Sequence, residues 1–283
     1  MSIQARQVGL IGYGSMGFAL AAGMAHSDAF ARQFSLCVYA KNRQAAQQQT
    51  PAIRFAESLS ELVGQSHMLI IAVRPEQVAG LMQEIASLTQ GMQNQPILIS
   101  VAAGVPLSRL AALAGGNSAV LRLMPNTLVE VGKGLFGLCA APHCPPEAKK
   151  MTGDLFSLLG AVVEIEEKAM NAFTALAGCG PGFLFHIMDS LCEAGVSVGL
   201  DRAASRTMAA ALFEGCGRLA VQSGRHPVIL REQGTSPAGM TIAGLNHLDK
   251  FGVRGLLIEA VKIAAEQGKQ MDGAAALLPR DSA

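Results

Sequence analysis

Charge is scarce in this 283-residue chain: Asp, Glu, Lys and Arg make up 15% of it, and the formal net charge is +1. A broad nucleic-acid surface needs clustered Lys and Arg, so that class of partner is excluded. Half of the residues are hydrophobic. That composition supports a sizeable core and excludes a largely disordered chain. No uninterrupted apolar run carries a membrane-spanning signal. The closest is "VGLIGYGSMGFAL" (8–20), whose glycines fit a strand, a turn and a helix better. No basic segment followed by an apolar core and a small-residue cleavage site opens the chain. These absences predict a cytoplasmic protein. The cysteines, Cys37, Cys139, Cys144, Cys179, Cys192 and Cys216, show no CxxC or CxxxH spacing. Free thiols packed as small hydrophobes are expected, with no disulfide framework and no metal site. Internal repeats and low-complexity linkers are also absent.

What is present changes character near residue 166. The length suits one large or two modest domains. Up to residue 166, short apolar runs alternate with amphipathic stretches. Strands are predicted at 7–12, 36–40, 68–73, 97–101 and 119–124, with two shorter ones at 134–139 and 161–165. Helices are predicted from near Ser15, Asn42, Leu59, Pro75, Pro106 and Pro145. This rhythm means a doubly wound parallel sheet with helices on both faces. After Glu167 the strand signals stop and the chain turns Ala- and Leu-rich. Helices are predicted at 181–198, closed by Gly199, then from an Asp201 cap toward Gln222, from near Thr241, and over 253–267. The tail 271–283 is expected to fray. The resulting division is 1–166, a dinucleotide-binding domain of Rossmann type, and 167–283, an all-α domain.

Three glycines, Gly12, Gly14 and Gly17, follow the first predicted strand and open the first predicted helix. In that setting G-x-G-x-x-G is the dinucleotide fingerprint. Gly12 permits the tight turn, Gly14 lets a pyrophosphate approach, and Gly17 lets helix and strand pack closely. The helix start at Ser15 and Met16 offers free N–H groups and a partial positive charge to the phosphates. The second strand ends in Ala40, Lys41, Asn42 and Arg43, where an NAD site usually has a carboxylate. Two cations in its place favour the 2′-phosphate of NADPH, with NADH still possible. Three further loops leave the carboxyl ends of strands: "AVRPEQV" (72–78), "SVAAGV" (100–105) and "RLMPNTLVEVGKG" (122–134). Ligands of such sheets bind there, which brings Val73, Arg74, Pro75, Ala102, Ala103 and Asn126 into the cofactor set.

These motifs together resemble the pyrroline-5-carboxylate reductase family over nearly the whole chain. The resemblance rests on GxGxMG at Gly12–Gly17, A-V-K-P as Ala72-Val73-Arg74-Pro75, S-x-A-A-G-V at Ser100–Val105, R-x-M-P-N-T-P as Arg122–Leu128, and S-P-G-G-x-T-x-x-x-L as "SPAGMTIAGL" at Ser236–Leu245. It implies reduction of 1-pyrroline-5-carboxylate to L-proline by hydride transfer from NAD(P)H. It also implies a homodimer with interleaved C-terminal helices, and larger homo-oligomers built from it. Scarce charge on the predicted helices agrees with a covered face. By the resemblance, Ser236, Ala238, Gly239, Met240 and Thr241 bind substrate, Thr241 lies near the imine nitrogen as the catalytic residue, and Asn126 lies beside the nicotinamide. A protonated imine is already electrophilic, so the lack of a His–Asp pair, paired carboxylates or a nucleophile in the motif regions fits.

The chain departs from the family at several positions. G-S-G-P-A-Y is "GCGPGF" here, so Cys179, Gly182 and Phe183 replace Ser, Ala and Tyr. Ala238 stands for a common Gly, Met240 for Thr or Ala, Leu128 for Pro and Arg74 for Lys. The lost hydroxyls leave a more apolar wall. Alternatives are therefore a reductase of a related cyclic imine acid or a non-catalytic dinucleotide-binding homologue. A β-hydroxyacid dehydrogenase would need a helix-borne lysine, for which Lys168 is the loose candidate.

Overall fold

The computed structural model describes residues 6–115 and 118–276. The strands are β1 (Arg6–Ile11), β2 (Phe34–Tyr39), β3 (Arg54–Phe55), β4 (Met68–Ile71), β5 (Ile97–Ser100), β6 (Val120–Met124), β7 (Gly134–Ala140) and β8 (Gly160–Glu164). They form one sheet in the order β3-β2-β1-β4-β5-β6-β7-β8. Every residue of β4, β5 and β6 is buried. Burial on both faces is why these strands read as continuous apolar runs rather than alternating ones. Val8, Leu10, Phe136 and Phe156 belong to the core on one face. Ile11, Leu69, Ile71 and Met82 belong to the core on the other.

The sheet differs from the expected one in an added strand and a reversed one. The pair β3, only Arg54–Phe55, extends the sheet beside β2, and two residues leave no periodicity to detect. β7 runs antiparallel to β6. The link between them holds only the 3₁₀ turn Thr127–Val131 before Gly132 reverses the chain at φ +67°. A parallel crossover takes about a dozen residues or more, so this link returns the chain antiparallel.

The chain divides into two compact units, one of Met1–Cys179 with Ala264–Ala283 and the other of Gly180–Ile263. The first unit extends past residue 166 because Met170, Ala175 and Ala177 are buried. Phe173 helps seal this join: a Cβ on Gly137 would come within 2.7 Å of its ring, so only glycine lets it lie so close to β7.

The second unit contains the helices Gly180–Ser197, Arg202–Ser223, Pro227–Gln233 and Met240–Lys250, and the helix Val253–Ala276 is divided between the units. Gly199 ends the first at φ +99°. Asp201 Oδ1 accepts the Ala204 N–H at 2.9 Å and starts the second, as the cap residues predict. The helix Pro227–Gln233 is not among the predicted elements; His226 is its N-cap and Pro227 its first residue. Helix continues through Ala276, so Met271–Ala276 are helical, and residues 277–283 of the expected fraying tail lie outside the described residues.

Candidate active site

The carboxyl ends of β1 and β4 open onto a groove of about 600 Å³. The Gly12 N–H donates to the Tyr39 carbonyl at 2.9 Å and the Ala72 N–H to the Ile11 carbonyl at 2.8 Å, so the three strand ends are fixed together. Gly12 turns the chain at φ +100°, and a Cβ there would meet the Ala72 carbonyl at 2.5 Å. Gly17 sits in the helix Ser15–Ala25 with room for hydrogen only, since its Cβ would lie 2.3 Å from the Gly12 carbonyl. Gly14 faces open space, with nothing within 4 Å of an added Cβ. It is also the N-cap of that helix, with no side-chain cap and no acidic residue in the first turn. The first-turn N–H groups at Ser15 and Met16 are thus available to an anion, beside a backbone that a phosphate can approach.

Of the expected cofactor residues, Gly12, Gly14, Lys41, Val73 and Arg74 line the groove. Pro75 is the first residue of the helix that follows Arg74. Asn42 and Arg43 adjoin Lys41 in the chain, and Arg43 is ion-paired with Glu57. Ala102 is buried and Ala103 half-buried beyond the end of β5. Tyr13, Tyr39, Leu59, Gln77 and Glu84 also line the groove, and motif reasoning passed over all of them. Tyr13 had a signal: it is the variable residue between two fingerprint glycines. Its ring packs edge-on against Phe18 and Phe55, and its hydroxyl meets Thr50 Oγ1.

Asn126 follows β6 and is 1% exposed. Its Nδ2 donates to the Ala177 carbonyl at 2.9 Å, and its Oδ1 accepts the Leu135 N–H at 3.1 Å. Both ends of the carboxamide are therefore engaged by main chain. Nearby, buried Arg122 on β6 donates from Nη1 to Glu167 Oε1 at 3.2 Å, and the same oxygen accepts the Leu107 N–H. This joins the sheet to residue 167 without a charge left alone in the interior. Lys168 is 83% exposed and paired with Glu166, away from any enclosed site in which a substrate could be held against it.

The residues expected to bind substrate lie on the second unit. Ser236 and Ala238 are exposed, and the Gly239 N–H closes the turn by donating to the Ser236 carbonyl at 3.1 Å. Ala238 is held at φ +58°, the left-handed region. Gly239 is the N-cap of Met240–Lys250 and provides no side-chain cap. Met240 and Thr241 are the first helical residues, both exposed. The first turn again presents uncapped N–H groups, here beside a hydroxyl.

The cysteines are free. Burial pushes the thiols of Cys37, Cys139 and Cys144 up, which suits packing rather than nucleophilic roles. Among the described residues, no group of three or more His, Cys, Asp or Glu side chains is placed to hold a metal ion.

Two family models match the chain. "Pyrroline-5-carboxylate reductase dimerisation" covers residues 167–271, and "NADP oxidoreductase coenzyme F420-dependent" covers residues 7–104. A pyrroline-5-carboxylate reductase of Methanosarcina acetivorans is 31% identical over 94% of this chain and 98% of its own. One from Synechocystis is also 31% identical, over 94% of this chain and 98% of its own. The crystal structure of Plasmodium falciparum pyrroline carboxylate reductase with NADP bound is 28% identical. It superposes at a TM-score of 0.83, covering 96% of this chain and 99% of that one.

Proposed function

The chain belongs to the pyrroline-5-carboxylate reductase family, and we infer from that membership that it reduces 1-pyrroline-5-carboxylate to L-proline with NADPH, the last step of proline biosynthesis. The observation that carries this reading is the end-to-end match to curated reductases. Partial matches would leave the second unit, and so the substrate, open.

Bound NADPH supplies a hydride from the nicotinamide C4 to the imine carbon. The chain's own part is to bind and orient. In this reading Gly14 and the first turn of Ser15–Ala25 take the pyrophosphate, and Lys41 with Asn42 and Arg43 takes the 2′-phosphate. Val73, Arg74 and Pro75, with Ala102 and Ala103, border the rest of the cofactor. The uncapped first turn after Gly239 holds the substrate carboxylate, with Ser236 closing the loop. The Thr241 hydroxyl hydrogen-bonds the imine nitrogen and manages its proton. The match to a dimerisation family supports reading the protein as a homo-oligomer. We further read it as an interleaved homodimer, because Leu184, Phe185, Leu191 and Leu212 are each 45% or more exposed in a single chain. A cytoplasmic location fits the same reading.

The test is NADPH consumption with the five-membered imine, beside its six-membered homologue and an NADH control. Cys179, Gly182, Phe183 and Met240 depart from the family motifs, so the six-membered imine measures whether they have shifted ring preference. Rapid turnover of the five-membered imine is expected. NADPH binding with turnover of neither imine would sink the reading. Thr241→Ala should lower kcat by about 10- to 100-fold through loss of one hydrogen bond to a charged group. NADPH affinity should be unaffected, and an unchanged kcat would remove Thr241 from the mechanism.

A further inference from the structure

The last turn of the first unit, Thr174–Gly178, is π-helical, a form that is rare and concentrates at functional sites. Its defining bond runs from the Cys179 N–H to the Thr174 carbonyl at 2.8 Å. In a regular helix the Ala177 carbonyl would accept the N–H of residue 181. Residue 181 is proline and has no N–H to give. Ala177 is 7% exposed, so water is a poor substitute. The donor comes instead from a distant part of the chain: Asn126 Nδ2, at 2.9 Å. The other end of the same carboxamide accepts the Leu135 N–H at the start of β7. Only one orientation of the amide satisfies a carbonyl at one end and an N–H at the other.

We propose that Asn126 is a positioning residue and not a cofactor ligand: its buried carboxamide fastens the π-turn Thr174–Gly178 and the start of β7 to the end of β6, supplying the donor that Pro181 lacks. It thereby sets where the chain leaves the first unit at Cys179. Asn126 acts through this turn on the geometry of reduction, so the kinetic half of its test rests on the function proposed above. The structural half does not.

Asn126→Asp is nearly isosteric and makes the clamp titratable. A protonated carboxyl donates its O–H to the Ala177 carbonyl and accepts the Leu135 N–H, as the amide does. Once ionised it still accepts from Leu135, but it has no donor and faces the Ala177 carbonyl oxygen. Activity should therefore be present below the variant's carboxyl pKa and lost as pH rises through it. We expect kcat within about threefold of wild type at the low end and a fall of about tenfold or more above, an ionisation absent from wild type. NADPH affinity should stay within about twofold throughout. Amide hydrogen exchange, corrected for intrinsic rate, should quicken at Cys179 above that pKa while Leu135 stays protected. Asn126→Ser, too short to span both partners, should loosen Cys179 at every pH and covers the case in which the ionised variant unfolds. A tenfold loss of NADPH affinity with unchanged Cys179 exchange would make Asn126 a ligand and overturn the proposal. So would kcat and exchange that follow wild type in both variants. If wild type itself turns over no imine yet Cys179 exchange responds as described, the proposed function fails and the clamp stands.

Discussion

A methyl group added at Gly14 would point into open space, whereas one added at Gly17 would come within 2.3 Å of the Gly12 carbonyl oxygen. The fold therefore requires glycine at 17 but not at 14, where the open space suits the phosphate contact proposed above. Gly14→Val should fold with wild-type stability and lose NADPH affinity at least about tenfold, because only the phosphate approach is blocked. Gly17→Val should lose several kcal/mol of stability, about the range seen for core overpacking, before binding can be asked about. Titration of NADPH alongside thermal unfolding separates them, and retained binding by Gly14→Val would remove the phosphate from this turn. Arg43 raises a subtler question, since Glu57 already holds its guanidinium. That pair is half-exposed, and such pairs contribute little to stability. A 2′-phosphate, with more charge than one carboxylate, can compete for the same cation. Arg43→Glu would leave two carboxylates where this ion pair now stands. NADPH binding should weaken about tenfold and NADH binding about twofold or less. Equal weakening would place the 2′-phosphate elsewhere.

At the scale of elements, the fully buried strands were legible in the sequence because β4, β5 and β6 are apolar at nearly every position. The fingerprint turn was legible because its glycines sit at a strand-to-helix junction, and the cap at Asp201 because a polar residue precedes a long helical stretch. Among the features that were not legible, three have a clear physical reason. β3 is too short to show a period. The π-turn at Thr174–Gly178 differs from an α-helix by one shifted hydrogen bond, which composition does not encode. The engagement of Asn126 depends on Ala177, a partner far along the chain. The loop 235–239 is an intermediate case. Its motif was visible, and so was the replacement of a usual glycine by Ala238, but only the backbone shows that this residue sits at φ +58°. Alanine there costs about 1–2 kcal/mol relative to a right-handed conformation. Glycine relieves that strain and gives back about 0.5–1 kcal/mol in unfolded-chain entropy. Ala238→Gly should therefore raise the thermal midpoint by about 1–3 °C. A lowered midpoint would mean that the loop tolerates alanine without strain, and the strained turn would lose its place in the account of the substrate site.

For the molecule as a whole, the decisive feature is how much apolar surface one chain leaves uncovered. Phe185 is 57% exposed, Leu212 57%, Leu256 66% and Ile263 62%. The stretch Glu167–Ser197 is, by length and composition alone, apolar enough to cross a membrane, with 17% of its most apolar window buried. Two occupants could cover such a surface, lipid or protein. The dimerisation-family match spans 167–271 and so includes this stretch, which favours a second copy of the chain. A stable protein interface of ordinary size buries roughly 800 Å² per partner, and obligate ones are larger and more apolar. One charge at the centre of such a face must then be desolvated without a partner, at a cost of several kcal/mol for each chain. Phe185→Glu should convert the oligomer to monomers in light scattering and lower kcat/KM by at least about tenfold, because the interleaved dimer proposed above would draw each active site from two chains. The first unit folds around its own core, so NADPH should still bind the monomer. A monomer with full activity would confine the site to one chain. An undisturbed oligomer would move the interface away from the helix Gly180–Ser197, leaving its apolar face to another partner.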